Sequence, residues 1–287
     1  MSAQAPAAPL PTTVGQALER ARSEGLDRLD AQVLLGHRLG RSRAWLLAHD
    51  TDAIDAGLAS LYLEDIAQRR HGVPVAYLVG EREFHGLALR VTPAVLVPRP
   101  DTETLVEWAL QCLRAAARPH PEVLDLGTGS GAIALALAHG CPGSRVSATD
   151  ASAAALHVAL DNARRLGLSI DGREGSWWGA VAGRRFDLAV SNPPYIAEGD
   201  PHLPSLCHEP LQALVSGADG LRDLRAIVDG ASAHLRPGAW LLLEHGAGQA
   251  EPVRQRLVEQ GFVDVDTRHD IEGRPRCTGG RWPGATA

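Results

Sequence analysis

Apolar positions along the 287 residues change spacing twice, and each change predicts a different architecture. From Thr13 to Arg70 they recur every three to four residues: Val14, Ala17, Leu18 and Ala21, then Leu29, Val33 and Leu34 ahead of His37, then Leu58, Leu61, Tyr62, Leu63 and Ile66. Side chains at that spacing share one helix face, so the stretch predicts three helices around a small core. Gly25, Gly40 and Gly72 fall where helices could end, and Arg69-Arg70-His71 supplies the positive charge that a helix C-terminus favours. Between Val73 and Arg99 the pattern is mixed. Val75-Ala76-Tyr77-Leu78-Val79 is a candidate strand or extended piece, while Arg82-Glu83-Phe84 and Leu87 to Val91 flank His85-Gly86 as a hairpin.

After Val97 short apolar runs alternate with helical patterns, which predicts an α/β, doubly wound, mostly parallel sheet. Strands are expected at Val123 to Leu126, Arg145 to Asp150, Phe186 to Val190, Ala239 to Glu244 and Phe262 to Thr267. Helices are expected over Thr104 to Ala117, Ala132 to Ala138, Ser152 to Leu166, Leu221 to Leu235 and Ala250 to Gln260, the first capped by Asp101 or Thr102. Ala197 to Gln212 is loop-like around His202, His208 and Glu209; its histidines lack metal-site spacing and are expected at the surface. The organisation is then a mobile tail over 1–12, a helical domain over 13–72, a linker hairpin over 73–97 and a large domain over 98–287.

Composition narrows the class. Hydrophobic content of 45% and charged content of 22% are those of a globular chain with ample core. Net charge is −6, and every basic residue is arginine or histidine, since lysine is absent. Such a balance argues against affinity built on phosphate neutralisation, so no direct nucleic-acid partner is expected. Cys112, Cys141, Cys207 and Cys277 are far apart without C-x-x-C spacing, so neither metal nor disulfide is expected. No stretch approaches the ~20 apolar residues of a membrane helix. The Ala- and Pro-rich start lacks the basic region and apolar core of a secretion signal, which leaves a reduced cytoplasmic setting.

The chemistry concentrates at two strand ends. Ser191-Asn192-Pro193-Pro194-Tyr195 follows the Phe186 strand, and two prolines stop a ladder because they lack N–H and fix φ. Asn192 is thereby held stiffly at a strand end, where its carboxamide and the following carbonyls can accept both N–H groups of a planar NH2. Tyr195 adds an aromatic wall. Upstream, Val123-Leu124-Asp125-Leu126-Gly127-Thr128-Gly129-Ser130-Gly131 takes a strand through a glycine turn into a helix, where unpaired N–H groups await a ligand. Its G-x-G-x-G spacing differs from the dinucleotide fingerprint. Asp125 could bind a ligand there or merely tie the turn together. Asp150 ends the next strand, placed for ribose hydroxyls. Of Trp177 and Trp178, either could stack on adenine or fill the core. Capping accounts for Asp101 and Thr102 but not for Arg99 and Glu103.

The glycine turn, Asp150 and the Asn-Pro-Pro-Tyr strand end together resemble the class I S-adenosylmethionine-dependent methyltransferases, usually seven-stranded with an antiparallel last strand, expected here over Arg274 to Trp282. Pro98-Arg99-Pro100-Asp101-Thr102-Glu103, ahead of both motifs and behind a helical domain, makes the chain similar to the HemK (PrmC) family. The similarity runs from about Val14 to Trp282. It implies methylation of the N5 amide nitrogen of a glutamine in the Gly-Gly-Gln loop of peptide chain release factors, by an enzyme expected to be monomeric. It further implies that Gly127, Thr128, Gly129 and Gly131, with Asp125, surround the methionine and ribose of S-adenosylmethionine, that Asp150 holds the ribose and that Trp177 stacks on adenine. Asn192 and the Pro193 carbonyl would bind the target amide, with Pro194, Tyr195, Arg99 and Glu103 completing the substrate site. Ser176, where an acidic residue is expected, and Cys277, in the terminal strand, depart from the family. A methyltransferase for exocyclic amines of DNA or RNA is the alternative, since it needs the same acceptors; a non-catalytic binding module would show damage at Asn192 or the glycine turn.

Overall fold

The computed structural model describes residues 9–284, which form two compact units, one ending at Gly80 and one beginning at Glu81. In the first, α1 (Val14–Ser23), α2 (Arg28–Leu39), α3 (Arg43–Ala48), α4 (Ala56–Arg70) and α5 (Val75–Val79) enclose Val14, Leu34, Leu35, Leu46, Tyr62 and Ile66. Each of the first four helices starts where a side chain satisfies an orphan N–H: Thr13, Asp27, Ser42 and Asp55 accept from the first turn. Bidentate Arg38–Asp65 contacts of 2.6 and 2.7 Å tie α2 to α4. The six-residue α3 is too short to show a period in sequence. The expected strand at Val75 to Val79 is instead a helical turn: five apolar residues carry no period, and Pro74 at the start with left-handed Gly80 at the end decides for helix. Residues 1–8 of the expected mobile tail lie outside the described residues. Its end is anchored, since Pro11 is buried and the Thr12 carbonyl accepts from Ile54 N–H at 3.0 Å.

The second unit opens with the hairpin β1 (Glu81–Phe84) and β2 (Leu87–Arg90), turned through His85 at φ 49° and Gly86 at φ 78°. Two successive positive φ values suit the right-handed twist of paired strands. A 3-10 turn, Pro100–Thr102, leads into α6 (Glu103–Ala116). Then follow β3 (Glu122–Leu126), α7 (Ala132–Gly140), β4 (Arg145–Asp150), α8 (Ala153–Leu166), β5 (Asp171–Glu174) and β6 (Phe186–Ser191). The chain finishes with α9 (Arg222–Gly230), β7 (Leu235–Glu244), α10 (Ala250–Glu259), β8 (Val263–His269) and β9 (Pro275–Arg281). One seven-stranded sheet has the order β5-β4-β3-β6-β7-β9-β8, with only β9 antiparallel. Edge strand β5, Asp-Gly-Arg-Glu, has no apolar alternation and is visible only through its pairing with β4.

Apolar clusters cover both sheet faces, one around α6 and α7, the other around α9 and α10. The strand order reverses at β3, whose neighbours β4 and β6 lead away in opposite directions. A crevice at the carboxyl ends of the strands follows from that switch.

Candidate active site

At that crevice β3 runs out into the glycine turn. Gly127, Gly129 and Gly131 have φ of 74°, 55° and 84°, a region side chains avoid. The N–H groups of Gly127 and Thr128 both donate to the Thr149 carbonyl of β4, at 2.9 and 2.8 Å. A Cβ on Gly131 would lie 3.2 Å from the Ala159 Cα, so glycine lets the turn settle against α8. Asp125 is fully buried under the turn: its Oδ2 accepts from Thr128 Oγ1 at 2.7 Å and from Ala134 N–H at 3.2 Å. Asp125 is not among the residues that line the cleft; its side chain turns to the first turn of α7 and holds the loop from beneath. Burial pushes its carboxyl up to about 7, against the lowering effect of the Thr128 and Ala134 bonds.

Asp150 does line the cleft. Its two oxygens accept from Gly129 N–H at 2.9 Å and Ser152 N–H at 2.8 Å, and each keeps capacity for a further donor. Burial raises this carboxyl too, opposed by those two bonds. The tryptophan pair divides. Trp178 is buried, donates from Nε1 to the Ile227 carbonyl at 2.8 Å and stacks on His234 at 5.0 Å, a core role. Trp177, at a positive φ of 46°, lines the cleft beside Gly127, where an added Cβ would sit 3.3 Å from its ring.

The opposite wall is built on β6. Ser191 Oγ donates to the Leu126 carbonyl at 2.6 Å, joining the ends of β6 and β3. Asn192 follows, half-buried and lining the cleft, with its Nδ2 donating to Thr102 Oγ1 at 3.2 Å. Pro194 also lines the cleft, and Pro193 between them is buried. Tyr195 stands behind rather than in the cleft, its hydroxyl 3.5 Å from Glu244 Oε1, and burial drives its phenol above the usual range.

The Pro-Arg-Pro-Asp-Thr-Glu stretch also differs from expectation. Neither Asp101 nor Thr102 caps α6 through its side chain: Asp101 takes Arg276 at 3.1 Å, and the Thr102 hydroxyl accepts from Asn192 Nδ2. Arg99 lines the cleft, paired with Glu209, whose other oxygen accepts from Val97 N–H at 3.0 Å. Glu209 is 7% exposed and straps the loop after Asn-Pro-Pro-Tyr to residues 97–99. Glu103 lies outside the cleft and accepts from His85 N–H at 3.1 Å, where it supports the hairpin turn.

Thr102, Glu209 and Glu244 are therefore the site residues that sequence reasoning missed or misassigned. Glu244 carried a signal, a carboxylate closing the apolar run Leu241-Leu242-Leu243 at the carboxyl end of a strand. Glu209 carried none. Burial pushes Glu244 up to about 7, opposed chiefly by the nearby Thr102 hydroxyl and the Arg276 charge.

The resulting cavity is about 240 Å³. One end offers the open backbone at Gly129, a carboxylate for a diol and an indole face; the other offers the Asn192 carboxamide. That donor and acceptor set fits S-adenosylmethionine beside a planar NH2 group. Comparison with known proteins agrees. Residues 13–80 match the family described as the PrmC N-terminal domain, and residues 104–217 the methyltransferase small domain. A release factor glutamine methyltransferase of Xylella fastidiosa strain Temecula1 is 51% identical over 271 residues, covering 93% of this chain and 98% of that one. The protein of the same description from Bordetella pertussis is 51% identical over 259 residues, covering 89% and 95%. The N-terminal domain of human METTL16, solved in complex with SAH, superposes with a TM-score of 0.52 at 19% identity, over 70% of this chain and 77% of that one; it speaks for the class I methyltransferase fold alone.

Proposed function

Because the chain belongs to the release factor glutamine methyltransferase family, a class of S-adenosylmethionine-dependent enzymes, we propose that it methylates the N5 amide nitrogen of the glutamine in the Gly-Gly-Gln loop of peptide chain release factors. The observation that carries the reading is Asn192, fixed at the end of β6 in the same cleft as the glycine turn. S-adenosylmethionine supplies an electrophilic sulfonium methyl. Gly127, Thr128, Gly129 and Gly131 shape its seat, Asp150 takes the ribose hydroxyls and Trp177 the adenine.

An amide nitrogen is a weak nucleophile because its lone pair is delocalised into the carbonyl. Asn192 Oδ1 and the Pro193 carbonyl accept its two N–H bonds, which returns electron density to nitrogen as it pyramidalises. The two acceptors hold best when the new bond is partly formed, so they favour the transition state over the bound amide. Pro194 closes the wall and Tyr195 supports it from behind. Arg99 meets the substrate at the cleft while Glu103 does not.

The N-terminal helical unit, which runs on to Gly80 rather than ending at residue 72, serves partner binding in this reading. A cytoplasmic setting accords with this reading, all four cysteines being free thiols; no helix among the described residues is long and apolar enough to cross a membrane. The test is transfer of labelled methyl from S-adenosylmethionine to purified release factor, beside its Gly-Gly-Gln glutamine variant and a DNA and RNA panel. Label confined to the wild-type factor supports the reading. Label on nucleic acid with an unmodified factor would overturn it in favour of base amines.

A further inference from the structure

One carboxylate of the cleft is only half used. Asp223, in the first turn of α9, is 9% exposed and lines the cleft together with Arg222. Its Oδ2 accepts from Ser216 Oγ at 2.7 Å and from Arg222 Nη2 at 3.0 Å, while its own N–H donates to Ser216 Oγ at 2.8 Å. No described residue donates to its Oδ1. The unpartnered oxygens Asp125 Oδ1 and Glu244 Oε2 are sealed from solvent, whereas the Asp223 carboxylate stands at the cleft. Helix dipole and loop closure explain Oδ2 and the bonds to Ser216, but they leave the second oxygen without use. A mostly buried acceptor costs free energy until a donor reaches it. The pair is also tied to the wall that carries Asn192. Ser216 N–H donates to the carbonyl of Ile196, the residue after Tyr195, at 2.9 Å, and Arg222 N–H donates to the Ser216 carbonyl at 3.3 Å.

We propose that Asp223 and Arg222 clamp the main chain of the methyl acceptor beside its glutamine, Asp223 Oδ1 accepting a peptide N–H and the Arg222 guanidinium donating to a peptide carbonyl. The proposal rests on the functional reading above. A peptide group offers one donor and one acceptor, and a carboxylate next to a guanidinium offers their complement. The two charges cancel, so the clamp suits a neutral backbone rather than an ion. Arg222 is exposed and gives one N–H to Asp223, which leaves others for a ligand. The two glycines ahead of the glutamine have no Cβ, so their backbone can come within hydrogen-bond reach of a recessed carboxylate. Attachment to Ile196 places the clamp with the residues that receive the target amide, not with the glycine turn that seats the cofactor.

Asp223→Asn keeps the shape and reverses the polarity at the cleft. The Ser216 hydroxyl and Arg222 both need an acceptor, so the carboxamide gives them its oxygen and turns its NH2 toward the cleft, where donor would meet donor. The variant is expected to raise KM for purified release factor about tenfold, the loss of one hydrogen bond to a charged group. Its melting temperature and its calorimetric affinity for S-adenosylhomocysteine stay close to those of the wild type. Arg222→Ala, at an exposed position, is expected to raise the same KM severalfold and to spare cofactor affinity; it decides the matter should Asp223→Asn melt early. An unchanged KM in either folded variant, while the wild type labels the factor, overturns the clamp and leaves the substrate assignment standing. Lost affinity for S-adenosylhomocysteine in Asp223→Asn overturns it too, since the carboxylate would then serve the cofactor. Label on nucleic acid with none on the factor overturns the substrate reading and the clamp together.

Discussion

The two walls of the cleft are built by different means. The glycine wall is largely backbone: Gly127 and Thr128 share the Thr149 carbonyl of β4, Asp125 pins the turn from below, and the Asp150 and Trp177 side chains flank it. The Asn192 wall is side chain, made from residues 90 and 49 positions apart that meet as Asn192 with Thr102 and Tyr195 with Glu244. Backbone suits a cofactor whose charge and shape do not change with the protein substrate. Side chains suit a polar group that must be presented as acceptor only, because a neighbour can set their direction. Both walls rest on one buried carboxyl, Asp125 or Glu244, raised to about 7 by burial.

The division should break cleanly. Asn192→Ala is expected to lower kcat by roughly a thousandfold, the loss typical of a transition-state hydrogen-bonding group. Calorimetric titration with S-adenosylhomocysteine should show far less change; a comparable loss of affinity would mean that the walls are not separate. Next comes the tryptophan pair, which sharpens the contrast within one dipeptide. Trp178→Ala should cost about 3 kcal/mol of stability in a urea melt, because it leaves a cavity against α9 and orphans the Ile227 carbonyl. Trp177→Ala should leave the melt nearly alone and weaken cofactor binding by about tenfold, the lower range of base stacking on an aromatic. Reversal of those two results would exchange their roles.

The smallest effect is a pH slope. Asp125 and Glu244 keep their protons in the folded chain to about 7, above the usual 3.8 and 4.5. Folding therefore binds protons between those limits, so these two groups make stability fall as pH rises from the ordinary carboxylate range toward about 7. The melting temperature of Asp125→Asn, followed across that window, should have the shallower slope. An unchanged slope would mean that Asp125 is ionised in the folded chain.

Much of the fold was legible because it is periodic. The spacing of Val14, Ala17 and Ala21 needs only a helix to make sense, and the strand, glycine turn and helix from Val123 to Ala138 announce themselves in one window. What failed was local ambiguity resolved by context. Val75 to Val79 has no period of its own, and the polar β5 exists through its partner strand. Asp101 and Thr102 look like caps, yet Arg276 and Asn192 claim their side chains first. Glu103 belongs to the right motif but turns to the hairpin, a direction that residue type does not encode.

By itself the chain's order of residues determined where backbone must turn and stop: three glycines with positive φ after β3, two prolines after β6, and a carboxylate at the end of β4. These are properties of single residues and their immediate neighbours, set by sterics and by missing N–H groups. Tertiary structure decided which side chains stand behind Asn192, which tryptophan faces the cleft, and that Glu209 and Glu244 are buried. Those outcomes depend on strand order and on packing between segments far apart in the chain, where a polar group's partner is whatever the fold brings within 3 Å or so of it.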